Sequence, residues 1–493
     1  MTTTAIQYET IIGLEVHAQL LTRSKMFCPC AASYADSSPN THVCPICLGM
    51  PGVLPVINKR AVEMTIMTGL ALNCEIPEQA KFDRKNYPYP DLMKGYQISE
   101  YDQPLCTGGW LEIELDGQRK RIGITRVHLE EDTAKLIHVK SPEGETYSLV
   151  DVNRSGVPLM ETVSEPDMRS PEEARAYLVK LRQILRYLDV CAGNMEEGNF
   201  RCDANVSLRP MGASELGSKV EVKNMNSFRS VYRALNHEVE RQREILDDGG
   251  RIPQETRGWV DDQGVTVSQR SKEYANDYRY FPEPDLPPIV VDREWLEEIR
   301  AQMPELPDAK LARFLSEYGL SEYDVSLLTE TRTKADYFEA TVALAPEAKR
   351  RKRAKAIANW INGELAGLLN ARNMGISEAK ITPRALSQLI DLQEDGTISG
   401  KTAKGVFQEM FESGRDPKQI VEGAGLVQIT ASGEIAAAVE RVLENNAKAA
   451  ADYRGGKEEA LKFLVGQVMR ETQGRAKPGM VHQLLKEKLS DSP

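Results

Sequence analysis

The sequence predicts an α+β chain with a sheet-based first part and a helical remainder, and three observations carry that prediction. From about residue 10 to residue 288 the text reads mainly as strands and turns, several of the strands alternating apolar and polar residues. The proline-rich stretch FPEPDLPP at 281–288 then punctuates it. Beyond it, apolar residues recur at intervals of three and four, as helices require. A chain of 493 residues also exceeds the roughly 250–300 residues over which one core grows, so two or three domains are expected.

The elements follow in order. At 14–20, Leu14, Val16, Ala18 and Leu20 share one strand face, and Glu15, His17 and Gln19 the other. At 126–132, Val127 and Leu129 oppose Arg126, His128 and Glu130. Ser170-Pro171-Glu172-Glu173 reads as a helix N-cap, a proline at the first helical position and a glutamate at the third. Ala174, Tyr177, Leu178, Leu181, Leu185 and Leu188 then line one face of that helix, which should lie on the sheet. At 200–209, Cys202, Ala204, Val206 and Leu208 oppose Arg201, Asp203, Asn205, Ser207 and Arg209; at 219–223, Val220 and Val222 oppose Lys219, Glu221 and Lys223. Helices are expected over 293–301, 308–318, 334–344 and 346–370. A second break is read at 396–405 (GTISGKTAKG), with small helices after it. These breaks give domains 1–292, 293–405 and 406–493.

Composition narrows the function. The 41% hydrophobic and 27% charged content is that of a globular chain. No run approaches about 18 apolar residues, and the N-terminal residues lack the pattern of a signal peptide, so a cytoplasmic address without membrane attachment is expected. A net charge of -11 argues against non-specific wrapping of nucleic acid, though local basic faces remain compatible with RNA. The chain has eight cysteines; four are scattered, and Cys28, Cys30, Cys44 and Cys47 cluster as CxC and CxxC pairs. Zinc accepts four thiolates at such spacings. The unusual CxC half leaves His42 open as an alternative ligand, and reduced thiols are the plain reading.

The four polar strand faces admit two readings. One is a half-solvated sheet; the other is a polar concave face holding a metal-bound polyanion. For the second, Glu15, His17, Glu130 or Glu131, Glu161, Asp203 and Glu221 are candidates for an open magnesium or manganese site. Lys81, Arg84, Lys85, Lys94, Arg154, Arg201, Lys219 and Lys223 are candidates to meet phosphates, whose transfer depends on such charge. Taken singly, each is as readily a surface or ion-pair residue. No GxxxxGK[ST] motif is present, which rejects a P-loop. Tyr87, Tyr89 and Tyr96 fit base stacking or turn packing equally. Lys349, Arg350, Arg351, Lys352 and Arg353 form the densest basic patch, read as a solvated helix face or an RNA backbone contact.

Long stretches then carry a family resemblance: IIGLEVHAQLLTRSKMFCPC, NTHVCPICLGMPGVLPVIN, KFDRKNYPYPDLMKGYQIS, HLEEDTAKL, DVNRSGVPLMETVSEPDMRS, NFRCDANVSLRP, KVEVKNMNSFRSVYRAL, SKEYANDYRYFPEPDLPP and KFLVGQVMRETQGRAKP. Across nearly the whole chain it resembles the B subunits of glutamine-dependent aspartyl/glutamyl-tRNA amidotransferases. The resemblance implies a cradle-like N-terminal domain, a helical connector and a tRNA-associated tail domain. It implies a heterotrimer with an amidase (A) subunit and a small C subunit, and contact with a non-discriminating aminoacyl-tRNA synthetase is a further expectation. The activity it implies is ATP-dependent phosphorylation of the side-chain carboxylate of Glu on tRNA(Gln), or Asp on tRNA(Asn), followed by amidation. Glu15 and His17 resemble the family's magnesium-proximal pair, with Glu130 and Glu131 beside them and Glu161 next. Asp203 and Glu221 would line the same cavity, and the four clustered cysteines match zinc ligands of some members. The patch at 349–353 is assigned to tRNA contact.

Overall fold

The alternation in the first part builds one large sheet. The computed structural model describes residues 6–271, 278–427, 432–472 and 475–490. Residues 272–277 of the SKEYANDYRY stretch and residues 473–474 of the C-terminal one lie outside them. In space the strands run Val265–Ser271, Glu255–Val260, Val220–Lys223, Phe200–Pro210, Tyr8–Gln19, Pro158–Ser164, Gln118–Glu131, Tyr96–Ser99, Asp83–Asn86 and Phe281–Pro282. Cys106–Thr107 and Trp110–Leu115 also pair with the Gln118–Glu131 strand. Pairing is antiparallel except between Val220–Lys223 and Glu255–Val260, which run parallel.

The Tyr8–Gln19 strand lies in the middle of this sheet, and its two faces differ as its sequence requires. Ile12, Leu14, Val16 and Ala18 are buried in a core with Val127, Leu129, Met160, Cys202, Ala204 and Val206. Each large apolar side chain so buried contributes roughly 1.5–3 kcal/mol. The other face carries Glu15 and His17. Helices Lys59–Ala71, Pro171–Tyr187 and Phe228–Asp247 add their apolar faces to the same core. The cap read at Ser170 is present: its Oγ accepts the Glu173 N–H at 3.2 Å, with Pro171 in the first turn. The 20-residue helix Phe228–Asp247 departs from the strand-and-turn reading of this region. Its apolar stripe, Val231, Ala234, Leu235 and Val239, keeps the helical period, but the segment is so rich in charge that few apolar residues mark it in the sequence.

The chain divides into compact units at Met1–Pro307 and Asp308–Pro493. Helix Arg293–Gln302 buries Ile299 in the first unit's core. The second unit holds two apolar clusters, one from Phe314 to Val421 and one from Ile435 to Leu489. No break exists at 400–405, because Ser399 caps a helix, Gly400–Ser413, that runs through it. Ala403, Val406, Phe407, Met410 and Phe411 supply a buried stripe strong enough to hold both glycines in helix. The expected helix over 346–370 is interrupted by a π-helical turn at Ile361–Leu365. Among the described residues no helix is long and apolar enough to cross a membrane.

Candidate active site

Strand register assembles a row of ionisable groups on the polar face. His17 lies opposite Glu161, and Glu161 lies opposite His128 on the next strand, two residues before Glu130. His17 Nε2 is 3.5 Å from both Glu130 Oε1 and Glu161 Oε2, and His128 Nε2 is 3.2 Å from the same Glu161 oxygen. Burial works against charge on His17, but Glu161, Glu130 and Asp203 prevail and raise its pKa to about 9. Burial likewise pushes Glu161 upward, yet His17 and His128 hold it well below the usual carboxylate range.

Ligand atoms of His17, Glu130 and Glu161 lie within 4.8 Å of one another, so the trio could hold a metal ion. A proton on His17 and a divalent cation are alternative ways to offset the two carboxylates. The donor set, one imidazole and two carboxylates, suits magnesium or manganese. Glu130 Oε2, His128 Nδ1 and Arg126 Nε are all buried without a hydrogen-bond partner among the described residues, and such groups on one face call for a ligand.

The other sequence-predicted acids flank this centre. Glu15 Oε1 accepts from Asn205 Nδ2 at 2.8 Å, and Glu15 lies opposite Asp203. Asp203 and Glu221 share Lys223, the latter at 3.2 Å. Burial opposes the Lys223 charge, but both carboxylates raise its pKa. Glu221 also accepts from Thr256 Oγ1 at 2.8 Å. Glu131 is separated from Glu130 by strand alternation: it pairs with Lys94 and accepts the Ile98 N–H at 3.0 Å. It lines a cavity of about 230 Å³ with Lys94, Cys28 and Cys47, away from the His17 trio.

The structure sorts the predicted cations sharply. Lys81 sits between Asp83 and Asp102, at 2.5 Å from each. Arg84 is bidentate to Glu283, both bonds 2.7 Å. Arg201 meets Asp132 at 2.9 Å, and Arg154 donates to the Thr133 and Ala134 carbonyls at 2.9 Å. Lys219 is exposed beside the cavity at Glu15 and Asn205. Lys85 has no ion-pair partner among the described residues; its Nζ stands 5.1 Å from the Tyr278 ring and 5.8 Å from that of Tyr87. Burial opposes its charge, but Glu130, Glu161 and nearby tyrosines raise its pKa. It lines an open cleft of about 760 Å³ with Lys223, Tyr87, Thr256 and Tyr278.

The cysteines form a second, separate centre. Sγ atoms of Cys28, Cys30, Cys44 and Cys47 lie within 4.8 Å of one another. His42 is no part of this group: its Nε2 meets Ser37 Oγ at 3.2 Å. The Cys28 thiol lowers Cys47 to about 5 by hydrogen bonding, and the same contact raises Cys28. Lys25 is only 1% exposed and donates to the His42 and Val152 carbonyls at 2.8 and 3.3 Å. A buried ammonium with carbonyl partners needs a counter-charge, and the Cys47 sulfur supplies it, Lys25 in turn helping to hold that thiol's pKa down. Sequence reading missed this lysine because nothing in its local pattern marks it as buried. His128 was legible as a polar-face residue, but its role needed the register.

In the second unit, Arg353 is buried against Asp391 and the Ser387 carbonyl, at 2.5 and 2.6 Å. Lys349, Arg351 and Lys352 are exposed, and Arg350 is half-buried.

Comparison with known proteins completes the site. The family profile described as GatB/GatE catalytic domain matches residues 10–297, which contain both centres, and the GatB domain profile matches 336–489. The B subunit of the aspartyl/glutamyl-tRNA(Asn/Gln) amidotransferase of Dehalococcoides mccartyi is 56% identical over 489 residues, covering 98% of this chain and 99% of the relative. This chain belongs to the family of amidotransferase B subunits. Its counterparts in Carboxydothermus hydrogenoformans and Thermomicrobium roseum are 58% and 59% identical over 484 residues, each covering 98% of this chain and 99% of the relative. As a member of that family it is a ligase-class amidotransferase component, with the His17 trio and the cysteine cluster both inside the matched catalytic domain.

Proposed function

We propose that this chain activates the side-chain carboxylate of Glu on misacylated tRNA(Gln), or of Asp on misacylated tRNA(Asn), by ATP-dependent phosphorylation, and that ammonia then replaces the phosphate. The observation carrying this reading is the His17, Glu130 and Glu161 trio within electrostatic reach of Lys85, a cation with no ion-pair partner among the described residues that lines the cleft of about 760 Å³. A carboxylate oxygen attacks the γ-phosphorus, ADP leaves, and the acyl phosphate so formed is open to ammonia, which expels inorganic phosphate and gives the amide. Mg2+ bound by His17 and Glu130 with Glu15 nearby would supply charge neutralisation to the nucleotide. Lys85 offsets charge developing on the phosphoryl oxygens, and Lys223 is positioned by Asp203 and Glu221 for the same face. Lys81, Arg84, Lys94, Arg154 and Arg201 serve this reading by holding neighbouring segments through their ion pairs, and Lys219 lies at the cavity that Glu15 and Asn205 line. The four cysteines would hold structural Zn2+, pinning the loop that frames the sheet.

The ammonia source is an amidase subunit, in a heterotrimer with a small third subunit, in the cytoplasm. The sheet-based unit does the chemistry, while the helical remainder carries tRNA contacts, including Lys349, Arg350, Arg351 and Lys352, with Arg353 anchoring their helix. The test is ADP release with Glu-tRNA(Gln), uncharged tRNA and free glutamate. Release should require the aminoacylated tRNA; equal rates with free glutamate would point instead to a ligase for small carboxylic acids.

A further inference from the structure

We propose that Arg126 is an oxyanion receptor at the edge of the His17, Glu130 and Glu161 centre, placed to hold a phosphoryl group. The strand that carries it is bulged. Pairing steps from Val163 opposite Arg126 to Ser164 opposite Ile124, leaving Thr125 as the extra residue. Before the bulge Ile122 and Ile124 face the core, and after it Val127 and Leu129 do. The core-facing parity therefore switches from even to odd. In a regular strand residue 126 would follow Ile124 into the core; the bulge turns it onto the face of His128 and Glu130. Its Cα is then one two-residue repeat, about 6.8 Å, from that of His128.

Among the described residues the side chain so placed has no acceptor. Arg126 Nε is buried without a hydrogen-bond partner, and the side chain makes no ion pair with any described residue. Other arginines of this region, Arg84 and Arg201, are tied to carboxylates. A partly buried guanidinium without an acceptor is costly to keep. Its planar fork matches phosphate oxygens bidentately. Arg126 complements Lys85, which presents a point charge, by fixing orientation as well. The proposal rests on the phosphoryl-transfer reading above. Two sources share this chemistry, the phosphates of a nucleotide and the backbone of RNA.

The full chain carrying Arg126→Gln is compared with wild type by thermal unfolding and by calorimetric titration with Mg2+-tripolyphosphate and with uncharged tRNA. The expected result is an unfolding temperature no lower than wild type, because an unpaired charge is removed, with at least about tenfold weaker tripolyphosphate binding. Arg126→Lys, which restores charge without the fork, should recover part of that loss. Weaker tRNA binding with unchanged tripolyphosphate binding also supports the receptor and assigns its oxyanion to RNA. Wild-type affinity for both probes overturns the proposal, with or without a lowered unfolding temperature. If wild type binds neither tripolyphosphate nor, in a parallel titration, Mg2+-ATP, the phosphoryl-transfer reading fails by itself, and the tRNA titration still decides Arg126.

Discussion

Replacing Glu100 by glutamine should stabilise the chain increasingly as pH rises. Glu100 is 2% exposed. Its Oε2 accepts the N–H groups of Leu105 and Leu129 at 3.1 and 3.2 Å, while Oε1 is buried without a partner. Burial lifts its pKa to about 8 from an ordinary 4.5, with the two N–H groups opposing. Between those values the unfolded chain has released a proton that the folded chain still holds. Folding stability therefore falls as pH rises through this window and levels off above about pH 8. At about 1.4 kcal/mol per pH unit, the full loss is about 5 kcal/mol, and about 2.5 kcal/mol of it falls between pH 5 and pH 7. In Glu100→Gln the amide oxygen keeps both backbone donors and cannot ionise. Urea unfolding of both chains at pH 5, 6, 7 and 8, followed through the transition of the sheet-based unit, measures the gap. It should widen by roughly 2–3 kcal/mol from pH 5 to pH 7; a gap that stays constant refutes the reasoning.

Elemental analysis of chain purified without chelator should find one zinc per molecule, and Cys44→Ser should remove it. Lys25→Met should weaken zinc by about 10–100-fold in chelator competition, because it takes away the charge behind the thiolates. Lys85→Gln should lower the rate of tRNA-dependent ADP release by about 10²–10³ while leaving tRNA affinity near wild type, as titration would show. Phe407 is fully buried with its ring 4.9 Å from that of Trp360. Phe407→Ala should destabilise the second unit by about 3–5 kcal/mol in urea unfolding, without changing zinc content.

Much of the site was legible because strand alternation is a local signal. Glu15, His17 and Glu130 each declared a polar face within a few residues of sequence, and the structure puts them on one face with Glu161, which entered through its motif. Asp203, Glu221 and Lys223 were found the same way, and the four cysteines by spacing. The helix at Phe228–Asp247 was missed because its helical period is carried by few apolar residues in a highly charged segment. Of the break expected at 396–405, residues 396–399 do lie between two helices, but from Gly400 onward a buried stripe overrides the stop that the glycines suggested. Arg126 lay in a strand read correctly but gave no hint of the bulge that re-aims it.

By itself the sequence determined which residue types face together, where the sheet gives way to helices, and the family to which the chain belongs, since these rest on short-range periodicity and ordered motifs. The tertiary structure alone decided which charges are spent and which are available. Lys81, Arg84, Lys94 and Arg201 look alike in sequence to Lys85 and Arg126, but only pairing across strands shows that Glu283, Glu131 and the aspartates neutralise the first group. A charge acts on a ligand when no nearer counter-charge or hydrogen bond holds it, and that nearness is set by register between segments far apart in the chain.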